Sequence, residues 1–225
     1  MQARAAVMPE RHGRWTIDTL EVAEPGPQEV LVRVVASGIC QTDVHARDGF
    51  FPIPCPAVYG HEGAGVVEQV GRAVTTLTPG DHVLMANPSC GVCPECRAGF
   101  ETYCNHASRL KQSGYRADGT SLSFRRGQAP IYGSFFQQSS FASLTLATAR
   151  NTIRVPDEAL SQILACRHCE VRSPLLVWPL RGQGVELFGR TAALLTVPFK
   201  LPFAQHVHQL DAGEGGLRGV ERFEP

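Results

Sequence analysis

No charge of either sign dominates this chain. Its 225 residues carry 21 Lys and Arg against 21 Asp and Glu, so the basic field that attracts nucleic acids or anionic membranes is absent. No apolar run approaches the ~20 residues that a transmembrane helix needs. The N-terminal segment holds Arg4, Glu10, Arg11 and Arg14 but no apolar stretch of the kind found in a secretory signal. Internal repeats and low-complexity tracts are lacking too. What remains is ordinary in composition: 43% hydrophobic and 19% charged residues describe a globular protein rather than a disordered one. Two features are not ordinary. At ~150 residues per domain the length gives about one and a half domains, and eight cysteines stand in a chain with no visible export signal. A cytoplasmic location is the expectation, and in that reducing compartment the cysteines favour metal ligation over disulfides.

The first half reads as short strands and turns. Glu29 to Ala36 is β-rich, with Pro25-Gly26-Pro27 before it as a breaker. Gly65 to Val70 and His82 to Ala86 are two more strand candidates, and Thr78-Pro79-Gly80-Asp81 supplies a tight turn ahead of the latter. Many short strands punctuated by Gly and Pro predict a mainly β fold with short helices, a barrel or irregular sandwich. Residues 105 to 134 are polar and weakly periodic and read as a long excursion. Phe135 to Leu146 returns to strand-like composition. Pro156 to Ala165 reads as a short helix, opened by Pro, Asp and Glu.

The strongest chemical signal is Cys90-x2-Cys93-x2-Cys96-x7-Cys104. Four thiolates so close in sequence can close around one tetrahedral Zn²⁺ as a structural site. Gly91, Pro94 and Gly99 suit the tight loop this requires. Two disulfides, or four unrelated buried thiols, are the other readings. A second set of metal-type residues follows the first strand, in Cys40-Gln41-Thr42-Asp43-Val44-His45, and opens the next, in Gly60-His61-Glu62. Taken singly, Cys40 reads as a buried thiol and His61 as a satisfied core histidine. Thr42, Asp43 and His45 read singly as a strand-end hydroxyl, a turn carboxylate and a surface imidazole.

Together, Gly60-His61-Glu62-x2-Gly65-x5-Gly71-x2-Val74 and the downstream cysteine knuckle resemble the zinc-dependent alcohol dehydrogenases of the medium-chain dehydrogenase/reductase superfamily, from about Ala5 to Cys166. The resemblance implies a GroES-like β-barrel catalytic domain over 1–166 with a structural-zinc lobe over 88–106. It makes Cys40, His61 and Cys166 ligands of a catalytic zinc, two thiolates and one imidazole. It makes Cys90, Cys93, Cys96 and Cys104 ligands of a second, structural zinc. Glu62 and Asp43 would support the ligands from behind, and Thr42 and His45 would relay the alcohol proton to solvent. The implied reaction is oxidation of a primary alcohol to an aldehyde, by a zinc-held alkoxide giving a hydride to NAD(P). The partners would be small alcohols and aldehydes, with no nucleic acid or membrane, and oligomers are possible in the intact family. Phe135-Phe136-Gln137-Gln138-Ser139-Ser140-Phe141-Ala142 resembles the aryl-alcohol branch, and Ala86 stands where many relatives place a large pocket aromatic. Core packing is the other reading of those phenylalanines.

The resemblance stops at Cys166. The next residues, Arg167-His168-Cys169-Glu170, lack the family's glycine-rich entry to a nucleotide domain. Gly182-Gln183-Gly184 fails the G-x-G-x-x-G fingerprint at Leu187, and Gly213-Glu214-Gly215-Gly216 fails it at Arg218. Residues 167–225 are therefore expected to be a poorly ordered tail in place of a complete Rossmann domain. A frame shift, a truncated gene or a gene-model error after Cys166 is one reading and genuine divergence another. The competing function is a zinc-binding remnant that holds no cofactor. Metal storage or redox sensing is a weaker third reading, because a closed four-thiolate site protects its thiols. His206 and His208 read as a solvent-exposed pair, and Cys55 and Cys169 stay unassigned.

Overall fold

The computed structural model describes residues 1–119 and 122–156 in full, and beyond them only the backbone of 175–177, 185–188 and 194–197. The expected helix over 156–165 and the residues Cys166, Cys169, His206 and His208 lie outside the described side chains.

Two five-stranded sheets form the body. The first runs in the order β4 (Ala57–Val58), β1 (Gln2–Met8), β2 (Thr16–Val22), β7 (Phe124–Arg126), β8 (Ala129–Ile131). The second runs β10 (Thr152–Arg154), β6 (His82–Met85), β5 (Glu62–Val70), β3 (Glu29–Gly38), β9 (Leu144–Thr148). Bridges at Ala5–Ala142 and Ala57–Tyr132 connect the first sheet to the chain flanking the second, and the sheets curl as a half-barrel. The short strands Leu175–Val177, Val185–Phe188 and Leu194–Val197 pair antiparallel with one another. Three short helices, α1 (Gln41–Arg47), α2 (Pro94–Arg97) and α3 (Ala107–Gln112), complete the described elements with a few 3-10 turns.

β3 explains why the sequence lacks strict alternation there. Its neighbours β5 and β9 pair with it antiparallel on either edge. Val30, Val32 and Val34 pack on one side against Val67, Leu77, Val83 and Met85, while Leu31 belongs to the other core with Leu20 and Leu146. A strand buried on both faces reads as a continuous apolar run. Each fully buried valine or leucine contributes about 1.5–3 kcal/mol relative to exposure. Arg33, the one charge inside the run, reaches the surface and pairs with Glu68.

Two stretches differ from the sequence expectation. Residues 105–134 hold α3 and the β7–β8 hairpin, which extends the first sheet beyond β2. Three-residue strands with only Phe124 and Ile131 buried are too short to show a period of two. In 135–146 only the last residues enter β9. Residues 135–137 form a 3-10 turn, and Ser134, Phe136, Gln137 and Ser139 all have φ near +50°. Side-chain hydrogen bonds replace the sheet ladder there: Ser139 Oγ donates to the Val58 carbonyl, and Gln138 Oε1 accepts the Gly63 N–H.

A candidate metal site and a four-cysteine lobe

β3 delivers Cys40 to the N-cap of α1, and β5 starts at Glu62, directly opposite Gly38 in register. That pairing brings two loops together, and Asp43 locks them. The buried carboxylate accepts the Cys40 N–H on Oδ2 at 2.9 Å and the Gly60 N–H on Oδ1 at 3.0 Å. Oδ1 also lies 3.1 Å from His61 Nδ1. With Nδ1 engaged there, Nε2 is the ring nitrogen free to act as a donor atom. Ligand atoms of Cys40, His61 and Glu62 all lie within 4.8 Å of one another.

Electrostatics suit a ligand pair. The His61 hydrogen bond holds the Cys40 thiol below its ordinary range, against the opposing effect of burial. Burial pulls the His61 imidazole down, but Asp43 and Cys40 outweigh it and raise it to about 10. Both shifts favour a thiolate beside an imidazolium, and a cation held there would replace the imidazolium proton. Thr42 Oγ1 is 3.6 Å from Cys40 Sγ. His45, one turn further along α1, is exposed and lies against Phe50.

Sequence reasoning singled out the stretch from Phe135 to Ala142 but not its contact with His61. Phe136 stacks on the His61 ring at 4.6 Å and 29°, and Phe135 meets it edge-on at 5.5 Å. Lys111 Nζ sits 5.3 Å from the Phe136 ring. Asn151 Nδ2 donates to the Phe136 and Ala86 carbonyls and ties both segments to the 3-10 turn just before β10. The available signal was the packing of Gln137, Gln138, Ser139 and Ser140 between phenylalanines, since polar residues buried in such company need partners.

The second cluster is self-contained. Sulfur atoms of Cys90, Cys93, Cys96 and Cys104 lie within 4.8 Å of one another. No disulfide joins them; every described cysteine is free. Backbone N–H groups of Val92 and Cys93 point at Cys90 Sγ at 3.4 and 3.3 Å, and those of Cys90 and His106 at Cys104 Sγ at 3.3 and 3.4 Å. The Val92 donor leads in bringing the Cys90 thiol down to about 6, whereas burial pushes Cys96 up to about 12. N–H donors converging on sulfur favour thiolates, and four thiolates at this spacing fit a tetrahedral zinc. Glu101 pins the lobe to the barrel by accepting from Arg150 and Ser89. Cys55 lies apart from both clusters, 3.8 Å from the Tyr59 hydroxyl.

Curled sheets forming a half-barrel, with a Cys-His-Glu cluster and a separate four-cysteine lobe, define a GroES-like fold with two metal-type side-chain clusters. Residues 26–157 match the alcohol dehydrogenase GroES-like domain, and the chain belongs to that family. It is 36% identical to geraniol dehydrogenase of Castellaniella defragrans, over 84% of this chain and 52% of that protein. That share exceeds what residues 1–166 supply, so the similarity runs into the segment after Cys166. Among solved structures, an alcohol dehydrogenase zinc-binding domain protein from Burkholderia ambifaria is 45% identical with a TM-score of 0.68, covering 70% of this chain and 43% of that one. Benzyl alcohol dehydrogenase from Acinetobacter calcoaceticus is 37% identical with a TM-score of 0.66, covering 70% and 42%. The chain spans about half the length of the curated relatives it matches. Among the described residues, no helix is long and apolar enough to cross a membrane.

Proposed function

We propose that this chain carries the catalytic domain of a zinc-dependent, NAD(P)-linked alcohol dehydrogenase acting on a primary, aryl-type alcohol. The observation that carries the reading is the Asp43 carboxylate, which fixes His61 beside Cys40 and leaves Nε2 available. In this reading residues 1–166 form the catalytic domain, and Cys40, His61 and Cys166 hold one zinc. Cys90, Cys93, Cys96 and Cys104 hold a second, structural one. A zinc ion at the first site supplies a Lewis acid that favours the deprotonated form of an alcohol near neutral pH. Asp43 keeps the imidazole oriented through Nδ1, and Glu62 stands in reserve behind the two ligands. Thr42 Oγ1 receives the substrate proton and His45, at the solvent edge of α1, passes it on. Phe135 and Phe136 exclude water and offer an apolar face to an aromatic substrate, and Ala86 leaves space where a larger residue would stand.

Support for an aryl-type substrate comes from the benzyl alcohol dehydrogenase among the similar proteins, and the geraniol dehydrogenase supports a primary alcohol. The test is NAD⁺- and NADP⁺-dependent oxidation of benzyl alcohol and geraniol by the expressed chain, alongside metal analysis. Turnover with about two zinc per chain supports the reading. Absence of turnover with both zincs in place refutes it. The second reading is a zinc-binding remnant that holds no cofactor. It predicts no heat of NADH binding in calorimetry, and measurable NADH affinity would remove it.

A further inference from the structure

Ser134, Phe136, Gln137 and Ser139 are buried non-glycine residues that all adopt left-handed backbone conformations. Such strain persists only where the surroundings over-determine it. At Gln137 the surroundings are specific. Its Nε2 donates to the Leu110 carbonyl at 2.9 Å and to the Tyr115 carbonyl at 3.1 Å. The Leu110 carbonyl lies in the last turn of α3, where helix carbonyls lack intrahelical partners. The Leu110 side chain belongs to the lobe's own small core with Cys93, Cys96 and Cys104. On the other side, Gln137 follows Phe136 directly, and Phe136 stacks on His61. The Gln137 amide therefore joins the core of the four-cysteine lobe to the segment that seats the His61 imidazole, beside Lys111 of α3, whose Nζ lies over the Phe136 ring.

We propose that Gln137 is a positioning residue that couples the four-cysteine lobe to His61, so that metal in the lobe sets how the imidazole is presented beside Cys40. The physical basis is the lobe's thin core. Three thiols and one leucine hold α3 weakly until the thiolates share a cation. When α3 settles, the Leu110 carbonyl settles with it, and Gln137 draws Phe136 onto the His61 ring. An apolar side chain at 137 would fill the same space but leave both carbonyls without this donor, with only the Lys111 contact to Phe136 left to carry the coupling.

This rests on the four cysteines holding a metal, and not on catalysis at Cys40 and His61. The experiment uses the full chain carrying Cys40→Ser, so that one equivalent of zinc enters the lobe. Carbon-attached protons of the His61 ring are followed by NMR, because ring currents make them sensitive to the Phe136 stack. Zinc is expected to shift the His61 resonances when Gln137 is present. With Gln137→Met added, the lobe should still take zinc from a chromophoric chelator, while the His61 shift falls at least threefold. An unchanged His61 response in the Gln137→Met chain overturns the proposal, as does a silent His61 in the parent. Failure of the parent to bind zinc overturns the metal reading of the lobe, and the coupling with it. If Gln137→Met does not fold, the parent alone decides. The Gln137 side-chain amide and His61 must then respond with one common midpoint, and separate midpoints overturn the coupling.

Discussion

The carboxylate of Asp43 accepts one N–H from the loop before α1 and one from the loop before β5, and the oxygen shared with Gly60 also faces His61 Nδ1. Replacing one of those oxygens by an amide nitrogen sets two donors against each other in a buried place. Asp43→Asn should therefore weaken zinc binding at Cys40 and His61 about 10–100-fold, the usual cost of losing a group that orients a ligand. Competition with a chromophoric chelator measures this, and an affinity within twofold of the parent would count against the assigned role. Gly60 is constrained differently. Its φ is +92°, and a Cβ would stand 2.6 Å from the Phe141 nitrogen and 2.8 Å from Ser140 Oγ. Gly60→Ala should cost about 1–3 kcal/mol from the backbone conformation alone, with the clash added, and urea unfolding reads it. Much of this scale was legible in the sequence. Cys40, Asp43, His61 and Glu62 were singled out together by the motifs that hold them and the resemblance those motifs carry, and the structure gathers them. The stack of Phe136 on His61 was not legible, because the contact joins residues 75 positions apart and no local pattern records it.

At the scale of elements, the segment between β8 and β9 acts as a hub rather than a strand. Gln138 is fully buried; its Oε1 accepts from Gly63 N–H in β5, and its Nε2 donates to the carbonyls of Met85, the last residue of β6, and of Ala86 just after it. Thr145 Oγ1 in β9 donates to the Gln138 carbonyl. One residue thus ties β5, β6 and β9 together behind the candidate site. Gln138→Leu keeps the volume but orphans the buried Gly63 N–H, at a cost of about 1–3 kcal/mol. Gln138→Glu should restore that acceptor while losing the donors to the two carbonyls, and so fall between the parent and Gln138→Leu in thermal unfolding. Equal losses for the two variants would show that the Gly63 bond carries nothing. This hub explains why composition misled at 135–143. Phe is common in strands, but here polar side chains satisfy the backbone, and left-handed residues then replace the extended ones. The three strands read from β-branched runs, in β3, β5 and β6, had no such competition and formed where those runs predicted.

The whole molecule divides its cohesion unevenly. Two apolar cores lie on either side of β3, one of them built around Tyr59, Phe135, Leu31 and Met8. The lobe's core consists of Cys93, Cys96, Cys104 and Leu110, with Cys90, Ala107 and Ala117 packed against it. Burying so little apolar surface cannot offset ~1–2 kcal/mol of backbone entropy for each ordered residue. The lobe therefore depends on bonds from its sulfurs, whereas the barrel does not. Removing zinc with a strong chelator, or substituting Cys96→Ser, should open the lobe by itself. Backbone amides that close its turns, such as Arg97 N–H to the Cys93 carbonyl and Gly99 N–H to the Cys96 carbonyl, should exchange with solvent at least tenfold faster. Amides in the β3–β5 ladder should keep their protection, because neither core flanking β3 contains any of the lobe's four cysteines. Hydrogen exchange followed residue by residue separates the two behaviours. A single transition in which the lobe and the β3–β5 ladder lose protection together would mean that the four cysteines hold the whole barrel, and the division into cohesive parts would fall.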